Sequence, residues 1–176
     1  KWRTVPAGSL RGLAKHCAVR PAGDAVAIAQ DRIREKALVR SCGIEVAPYA
    51  VIEKDSDLDA ADAALFPGIL KRARFGYDGK GQARVANAAE AKQAFADMGA
   101  ESCVLEQRIA LKCEISAVVA RGADGLGRGF PVAENRHRNG ILDVSIVPAR
   151  VATELAQRAE QWALKIAEKL DYCGVL

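Results

Sequence analysis

A chain of 176 residues, half of them hydrophobic and 27% charged, is long enough to bury a core and is composed like an ordinary globular protein of one domain or two small ones. Its net charge of +4 suits an anionic small molecule but does not argue for nucleic acid, and aromatics at 5% are too sparse for a base-stacking surface. No apolar run approaches the ~20 residues that cross a bilayer, and Lys1-Trp2-Arg3-Thr4-Val5-Pro6 lacks the apolar stretch of a secretory signal.

In chain order, Lys1 to Arg20 is a weakly patterned lead-in. Asp24 is placed to cap one helix running through Arg32 and Leu38 to Cys42, with Gly43 as its stop. Pro48 breaks the pattern, and Tyr49 to Ile52 reads as a short strand. Ser56, with Asp59 three residues on, predicts a capped helix that ends before Phe66-Pro67. A strand then reaches Lys71, a glycine loop follows, and a second strand lies near Ala83 to Val85. Asn87 is placed to cap a helix through Phe95 that stops at Gly99, and Cys103 to Gln107 is a strand.

Glu114 to Arg121 alternates, with Ile115, Ala117 and Val119 on one face, and predicts a single strand. Gly125 to Gly129 reads as the turn joining it to Phe130-Pro131-Val132-Ala133-Glu134. Leu155, Ala159, Trp162, Ala163, Ile166, Ala167 and Leu170 follow helical spacing, which places Trp162 in the core. Tyr172 to Leu176 reads as a strand just starting, with no neighbour in view. The five cysteines are widely spaced without a Cys-x-x-Cys, which argues against zinc; most are expected to be buried small hydrophobes in a reducing cytoplasm, Cys113 and Cys173 above all.

The stretch richest in chemistry is Lys71-Arg72-Ala73-Arg74-Phe75-Gly76-Tyr77-Asp78-Gly79-Lys80-Gly81-Gln82. Three glycines in six residues bare the backbone, so its N–H groups can approach an anion. Four cations accompany one acid. It is neither a Walker loop nor a Gly-x-Gly-x-x-Gly opening a helix. Composition alone leaves two readings open, a phosphate cover hung from a strand end or a polar hairpin turn.

Together with its flanks the loop resembles the N5-carboxyaminoimidazole ribonucleotide synthase branch of the ATP-grasp family. Other segments match the same pattern in order: Ala29-Gln30-Asp31-Arg32 with Glu35-Lys36, Val104-Leu105-Glu106-Gln107, Glu114-Ile115-Ser116, Pro131 through Glu134-Asn135, His137 and Asn139-Gly140-Ile141-Leu142-Asp143 to Ala149, and Leu170 to Leu176. The resemblance implies an α+β ATP-grasp fold, a lid subdomain plus part of the central ATP-binding subdomain. Its expected boundaries are a lead-in and linker helix over 1–47, the lid over 48–110 and a partial central subdomain over 111–176. The family pattern continues past Leu176, so the chain is expected to be an excerpt that is inactive by itself, with Mg²⁺ ligands lying beyond it.

The resemblance also implies roles. Arg32 and Lys71 would contact the phosphates of ATP, together with the loop Gly76, Tyr77, Asp78, Gly79, Lys80, Gly81 and Gln82. Glu106, Gln107, Arg108 and Ile109 would form the adenine-binding hinge, Glu114 would accept from the ribose hydroxyls, and His137 would lie by the nucleotide. Tyr77, Asp78 and Lys80 would face 5-aminoimidazole ribonucleotide, Tyr77 and Lys80 as catalytic residues; many relatives carry arginine where this chain has Lys80. The roles of Arg136 and Arg138 stay open. Read without the resemblance, Arg32 is equally a solvated helix residue, Glu106 and Glu114 exposed strand acids, and His137 a surface histidine.

The implied activity is an ATP-dependent ligase of purine (IMP) biosynthesis. Bicarbonate is phosphorylated to carboxyphosphate, and the carboxyl group passes to the exocyclic amine of 5-aminoimidazole ribonucleotide. The implied setting is a cytoplasmic homodimer that uses ATP and Mg²⁺, without nucleic acid or membrane partners. The alternatives are another ATP-grasp ligase, such as biotin carboxylase or a glycinamide ribonucleotide ligase, and a basic nucleic-acid-binding module. The run from Glu134 to Asp143 favours the purine carboxylating branch over the other ligases, and matches the folate-dependent formylating ligase more weakly.

Overall fold

The structure, a computed structural model, describes residues 5–76, 81–138 and 141–176. Three short helices open the chain: α1 (Ala7–Leu13), α2 (Gly23–Ala29) and α3 (Arg32–Ser41). The first lies within the stretch read as a lead-in and buries Leu10. The other two replace the single helix expected from Asp24 onward. Asp31 divides them, because its carboxylate accepts from the backbone N–H of Ile33 at 3.0 Å and of Arg34 at 3.2 Å. Those donors would otherwise be orphans of a helix start, so the acid stabilises a new beginning at Arg32. Gly43, at φ +70°, ends α3 as its position predicts.

Next come β1 (Tyr49–Ile52), α4 (Asp55–Asp59), a 3₁₀ turn over Ala63–Leu65, β2 (Gly68–Arg72), β3 (Gln82–Val85), α5 (Ala88–Asp97) and β4 (Cys103–Gln107). The cap of α4 is not Ser56, which lies inside the helix. Asp57 reaches back instead, accepting from the N–H of Glu53 at 2.9 Å and of Lys54 at 3.0 Å. An ionised carboxylate takes two donors at once, which a hydroxyl does less well. Asn87 caps α5 as predicted, its side-chain oxygen accepting from the Glu90 N–H at 3.0 Å.

The four strands form one antiparallel sheet in the order β1-β4-β2-β3. Register assigns its two faces. Ala50, Leu105, Leu70 and Ala83 stand in one cross-strand row, with Ile52, Cys103 and Val85 on the same side. This face meets Leu58 of α4 and Ala91 and Phe95 of α5 in the main core, where Ile52, Leu70, Cys103 and Leu105 are fully buried. Gly68 allows the close approach at the end of β2: a Cβ there would lie 2.6 Å from the Leu65 carbonyl and 3.0 Å from that of Glu106.

The remainder comprises β5 (Glu114–Ser116), β6 (Val119–Arg121), β7 (Gly127–Gly129), β8 (Ala133–Arg138), β9 (Ile141–Ile146), α6 (Thr153–Lys169) and β10 (Gly174–Val175). They build two three-stranded sheets, β5-β8-β9 and β10-β6-β7. The single strand expected over Glu114 to Arg121 is thus two strands, since Ser116 pairs with Ala133 and Val119 with Gly129. Alternation reports which way side chains point, not which strand lies alongside. The turn expected over Gly125 to Gly129 ends sooner. It spans Gly122 to Leu126, closed by the Gly122 N–H to the Leu126 carbonyl at 2.9 Å, and Gly127 to Gly129 pairs with β6.

α6 lies over β6 and β7, but on a rotated face. Ala167 is fully buried and Leu164 presses on Gly127, while Trp162 is 37% exposed with the Arg158 guanidinium 5.9 Å from its ring. The expectation of Trp162 in the core is therefore corrected. The final strand has a neighbour after all: Val175 pairs with Ala120, and Leu176 and Val119 exchange both backbone hydrogen bonds. The cysteines also differ from expectation. All five are free; Cys113 is exposed and Cys173 half-buried, whereas Cys42 and Cys103 are the buried ones. Burial pushes the Cys103 thiol up to about 11, so it packs as a neutral hydrophobe.

The two faces of the first sheet differ in what they contribute to stability. Leu105→Ala should cost about 2–5 kcal/mol through lost transfer energy and a residual cavity, whereas Val51→Ala, on the other face and 37% exposed, should cost roughly 1 kcal/mol or less. Urea denaturation of both variants measures the contrast, and equal losses would contradict this assignment of the core.

Candidate functional site

Strand register places Lys71, Gln82, Arg84 and Glu106 of the first sheet on the face away from the core. Tyr49, Glu106, Ile69 and Arg84 stand in one cross-strand row, and Val51, Val104, Lys71 and Gln82 in the next. Lys71 and Glu106 therefore share a face although 35 residues separate them, and Lys71 Nζ donates to Glu106 Oε2 at 2.9 Å.

α3 supplies a second layer on this face. Arg32, Lys36 and Arg40 recur every four residues and so lie along one side of the helix. The Arg32 N–H donates to the Ala73 carbonyl at 2.9 Å, and its Nε donates to the Arg72 carbonyl at 3.2 Å, which ties the helix start to the end of β2. Lys36 Nζ sits 3.3 Å from Glu106 Oε1 and 4.9 Å from the centroid of the Tyr49 ring, and the Arg40 guanidinium lies 5.5 Å from the same ring.

Glu106 is thus held between two ammonium groups, and the side chains of Lys36, Glu106 and Lys71 are only 15%, 13% and 20% exposed. Burial works to raise the Glu106 carboxyl. The hydrogen bond from Lys71 and the charges of both lysines outweigh it and hold the carboxyl below the usual glutamate range. Lys36 stands among the segments that carry the resemblance, but the sequence reading gave it no role. Its signal was the four-residue step from Arg32, which marks a shared helix face but not what that face meets.

Beyond Glu106 the chain leaves the sheet. The Gln107 N–H donates to the Pro48 carbonyl at 2.9 Å and the Arg108 N–H to the Pro67 carbonyl at 3.1 Å, which pins the exit between two prolines. Ile109, 48% exposed, lines a cavity of about 1220 Å³ with Tyr49, Pro48, Ala47 and Arg40. Tyr77, Asp78, Gly79 and Lys80 lie outside the described residues. The two ends of their loop are described and close together: Gly81, at φ +72°, accepts from the Arg72 N–H at 2.8 Å, and a Cβ on Gly81 would lie 3.5 Å from Gly76 Cα. Gln82 opens β3 directly opposite Lys71.

A second polar face belongs to the sheet β5-β8-β9. Glu114 pairs with Asn135, which pairs with Ser145, so their side chains share one side; Ser116 and His137 follow two residues on. His137 Nδ1 lies 2.6 Å from Glu114 Oε2. Asn135 donates to Ser116 Oγ and accepts from Ser145 Oγ at 2.8 Å. The structure therefore brings Glu114 and His137 together and adds a hydroxyl–amide ladder beside them that the sequence reading did not single out. The opposite face holds Glu134, whose carboxyl takes Arg150 in a fork at 3.0 and 3.2 Å and stays below the usual range, chiefly through that hydrogen bond. Arg136 joins Glu134 at 3.6 Å, and Arg138 pairs with Asp143 at 3.8 Å.

In chemical terms, the first face can bind an anion and the second can accept from hydroxyl groups. Among the described residues, no group of three or more His, Cys, Asp or Glu is gathered as a metal cage. No helix is long and apolar enough to cross a membrane among them.

The ATP-grasp domain family matches residues 37–176. The whole chain aligns with the N5-carboxyaminoimidazole ribonucleotide synthase of Brucella melitensis biotype 1, at 39% identity over 179 residues and covering 49% of that protein. It aligns equally fully with the protein of the same name from Bacillus subtilis, at 37% identity and covering 47% of it. The crystal structure of N5-carboxyaminoimidazole synthetase from Staphylococcus aureus complexed with ADP is similar over 98% of this chain and 46% of that one, with a TM-score of 0.89 and 32% identity. The chain spans about half the length of the curated relatives it matches. The family match runs from α3 through the sheet of Lys71 and Glu106 to the last strand, and on that extent this chain belongs to the ATP-grasp domain family.

Proposed function

We propose that this chain is the nucleotide-binding part of an ATP-dependent ligase that carboxylates 5-aminoimidazole ribonucleotide with bicarbonate, yielding N5-carboxyaminoimidazole ribonucleotide, ADP and phosphate. The observation that carries the reading is the convergence of Lys71 and Glu106 on one sheet face, beside the loop base at Gly76 and Gly81 and the exit at Ile109. Relatives of that name cover the chain from end to end, which favours this acceptor over the other ATP-grasp ligases. The proposed division is a lead-in and linker over 1–47, which holds α1 to α3, a lid over 48–110 and part of the central subdomain over 111–176.

In this reading Lys71 meets the phosphates as a point charge, and Arg32 adds guanidinium donors from the start of α3. Backbone groups from Glu106 to Ile109 read the adenine edge, and Ile109 packs on the ring. Glu114 accepts from the ribose hydroxyls, with His137 bonded to it at 2.6 Å and so limiting its rotation. Tyr77, Asp78, Lys80 and Gln82 cover the phosphates and the imidazole nucleotide.

The chemistry needs positioning more than covalent help from the protein. A bicarbonate oxygen attacks the γ-phosphorus, the bond to the ADP oxygen breaks, and carboxyphosphate forms. Loss of phosphate releases carbon dioxide inside the closed site. The exocyclic amine attacks its carbon and gives up a proton. A closing loop excludes the water that would hydrolyse carboxyphosphate. Mg²⁺ belongs to the proposed reaction, but the described residues gather no cage for it. Five free cysteines suit a reducing compartment, and we infer the cytoplasm. The reading extends to a homodimer of the intact enzyme.

Two measurements test this. In the full-length protein, ADP release should require both bicarbonate and the imidazole nucleotide for full rate. Release that needs bicarbonate but ignores the imidazole nucleotide, or that ignores both, would point to another ATP-grasp ligase. Second, Lys71→Ala should weaken ATP by about 10- to 150-fold, the equivalent of roughly 1.5–3 kcal/mol of charge-assisted contact, and spare adenosine. Glu114→Ala should weaken ATP and ADP alike, and Tyr77→Phe should act on the imidazole nucleotide with little change in ATP. Calorimetric titrations supply these constants. A Lys71→Ala protein that binds ATP like wild type, beside a Tyr77→Phe protein that does not, would reverse the assignment.

A further inference from the structure

The nucleotide reading assigns nothing to Lys36, yet its side chain is only 15% exposed beside Glu106. Its Nζ lies 3.3 Å from Glu106 Oε1, while Lys71 holds the other oxygen at 2.9 Å. Glu106 therefore faces one cation from α3 and one from β2. The Tyr49 ring of β1 lies beneath Lys36, and Arg40 flanks the same ring. None of the three charged side chains is more than 20% exposed, so water screens them weakly.

A lone Lys71–Glu106 pair would be neutral. The carboxylate would claim the ammonium, and its own charge would repel phosphate oxygens. Two lysines against one carboxylate leave one positive charge over. We propose that Lys36 is a positioning residue of the phosphate site, neutralising Glu106 so that the charge of Lys71 stays available to a nucleotide polyphosphate. The proposal rests on the nucleotide reading above. Tyr49 serves the arrangement, since its ring face attracts the ammonium and holds Lys36 toward Glu106.

The test is a charge-balance cycle in the full-length protein. Affinities for ATP, ADP and adenosine are measured for wild type, Lys36→Met, Lys36→Arg, Glu106→Gln and the double variant Lys36→Met/Glu106→Gln. Lys36→Met should lose roughly 10-fold for ATP and ADP and leave adenosine unchanged. Lys36→Arg should retain affinity. The double variant restores a single positive charge and should regain most of the loss. A Lys36 that itself grips phosphate would give no recovery in the double variant. A Lys36 whose removal only loosens α3 would give none either, and would weaken adenosine as well. Either result overturns the proposal.

A second readout needs no ligand. The Glu106 carboxyl, followed by ¹³C NMR, should titrate at higher pH in Lys36→Met than in wild type, because a neighbouring cation has gone. An unmoved titration with ATP binding intact overturns this proposal alone. A wild-type protein that binds neither ATP nor ADP overturns the nucleotide reading, and the phosphate role of Lys36 with it.

Discussion

Glu106 is a carboxylate taken largely out of water and held there by two ammonium groups. Such a group costs several kcal/mol to bury alone, so its partners must be fixed before it is tolerated. The fold supplies that fixing from two directions. β2 pairs with β4 over five residue pairs, with Lys71 opposite Val104, and α3 is anchored to the end of β2 by two hydrogen bonds from Arg32. The sheet and helix thus meet across an ion trio rather than across an apolar seam. This is the place where the protein trades packing for charge.

The same sheet keeps its two tasks apart by pleat. One face is a dense aliphatic core with Leu70, Leu105 and Ile52 fully buried under α4 and α5. The other carries Lys71, Glu106, Gln82 and Tyr49. Period-two alternation makes the separation strict, because a one-residue slip would send Glu106 into the core and Leu105 into the cleft. A rigid apolar back therefore aims the polar residues with little freedom. The glycine loop hangs from this sheet, its base pinned where Arg72 meets Gly81.

The second polar face follows another plan. Glu114, Ser116, Asn135, His137 and Ser145 bond to one another along the sheet β5-β8-β9. Each side chain is oriented by a neighbour on the adjacent strand, so the face is organised without a deep core behind it. Exposed apolar residues such as Leu142, Val144 and Trp162 surround this half of the chain, in contrast to the well-covered first sheet. Stability is thus concentrated around α4, α5 and the first sheet, and the remainder relies more on strand pairing.

Local chemistry in the sequence determined a good deal. The strands Tyr49–Ile52 and Cys103–Gln107 and the helix capped by Asn87 stand where predicted, because turn residues and caps act within a few positions. The ordered motifs from Arg32 to His137 were legible for the same reason, as residue types at set spacings. What lies between distant positions was not legible. The split of Glu114 to Arg121 into two sheets, the partner found by the last strand, the half-exposed Trp162 and the arrival of Lys36 at Glu106 all depend on which element packs where. Sequence periodicity fixes the direction a side chain leaves the backbone. Only tertiary packing decides what it meets, because 70 residues separate Lys36 from Glu106 and the contact exists only once α3 has docked on the sheet.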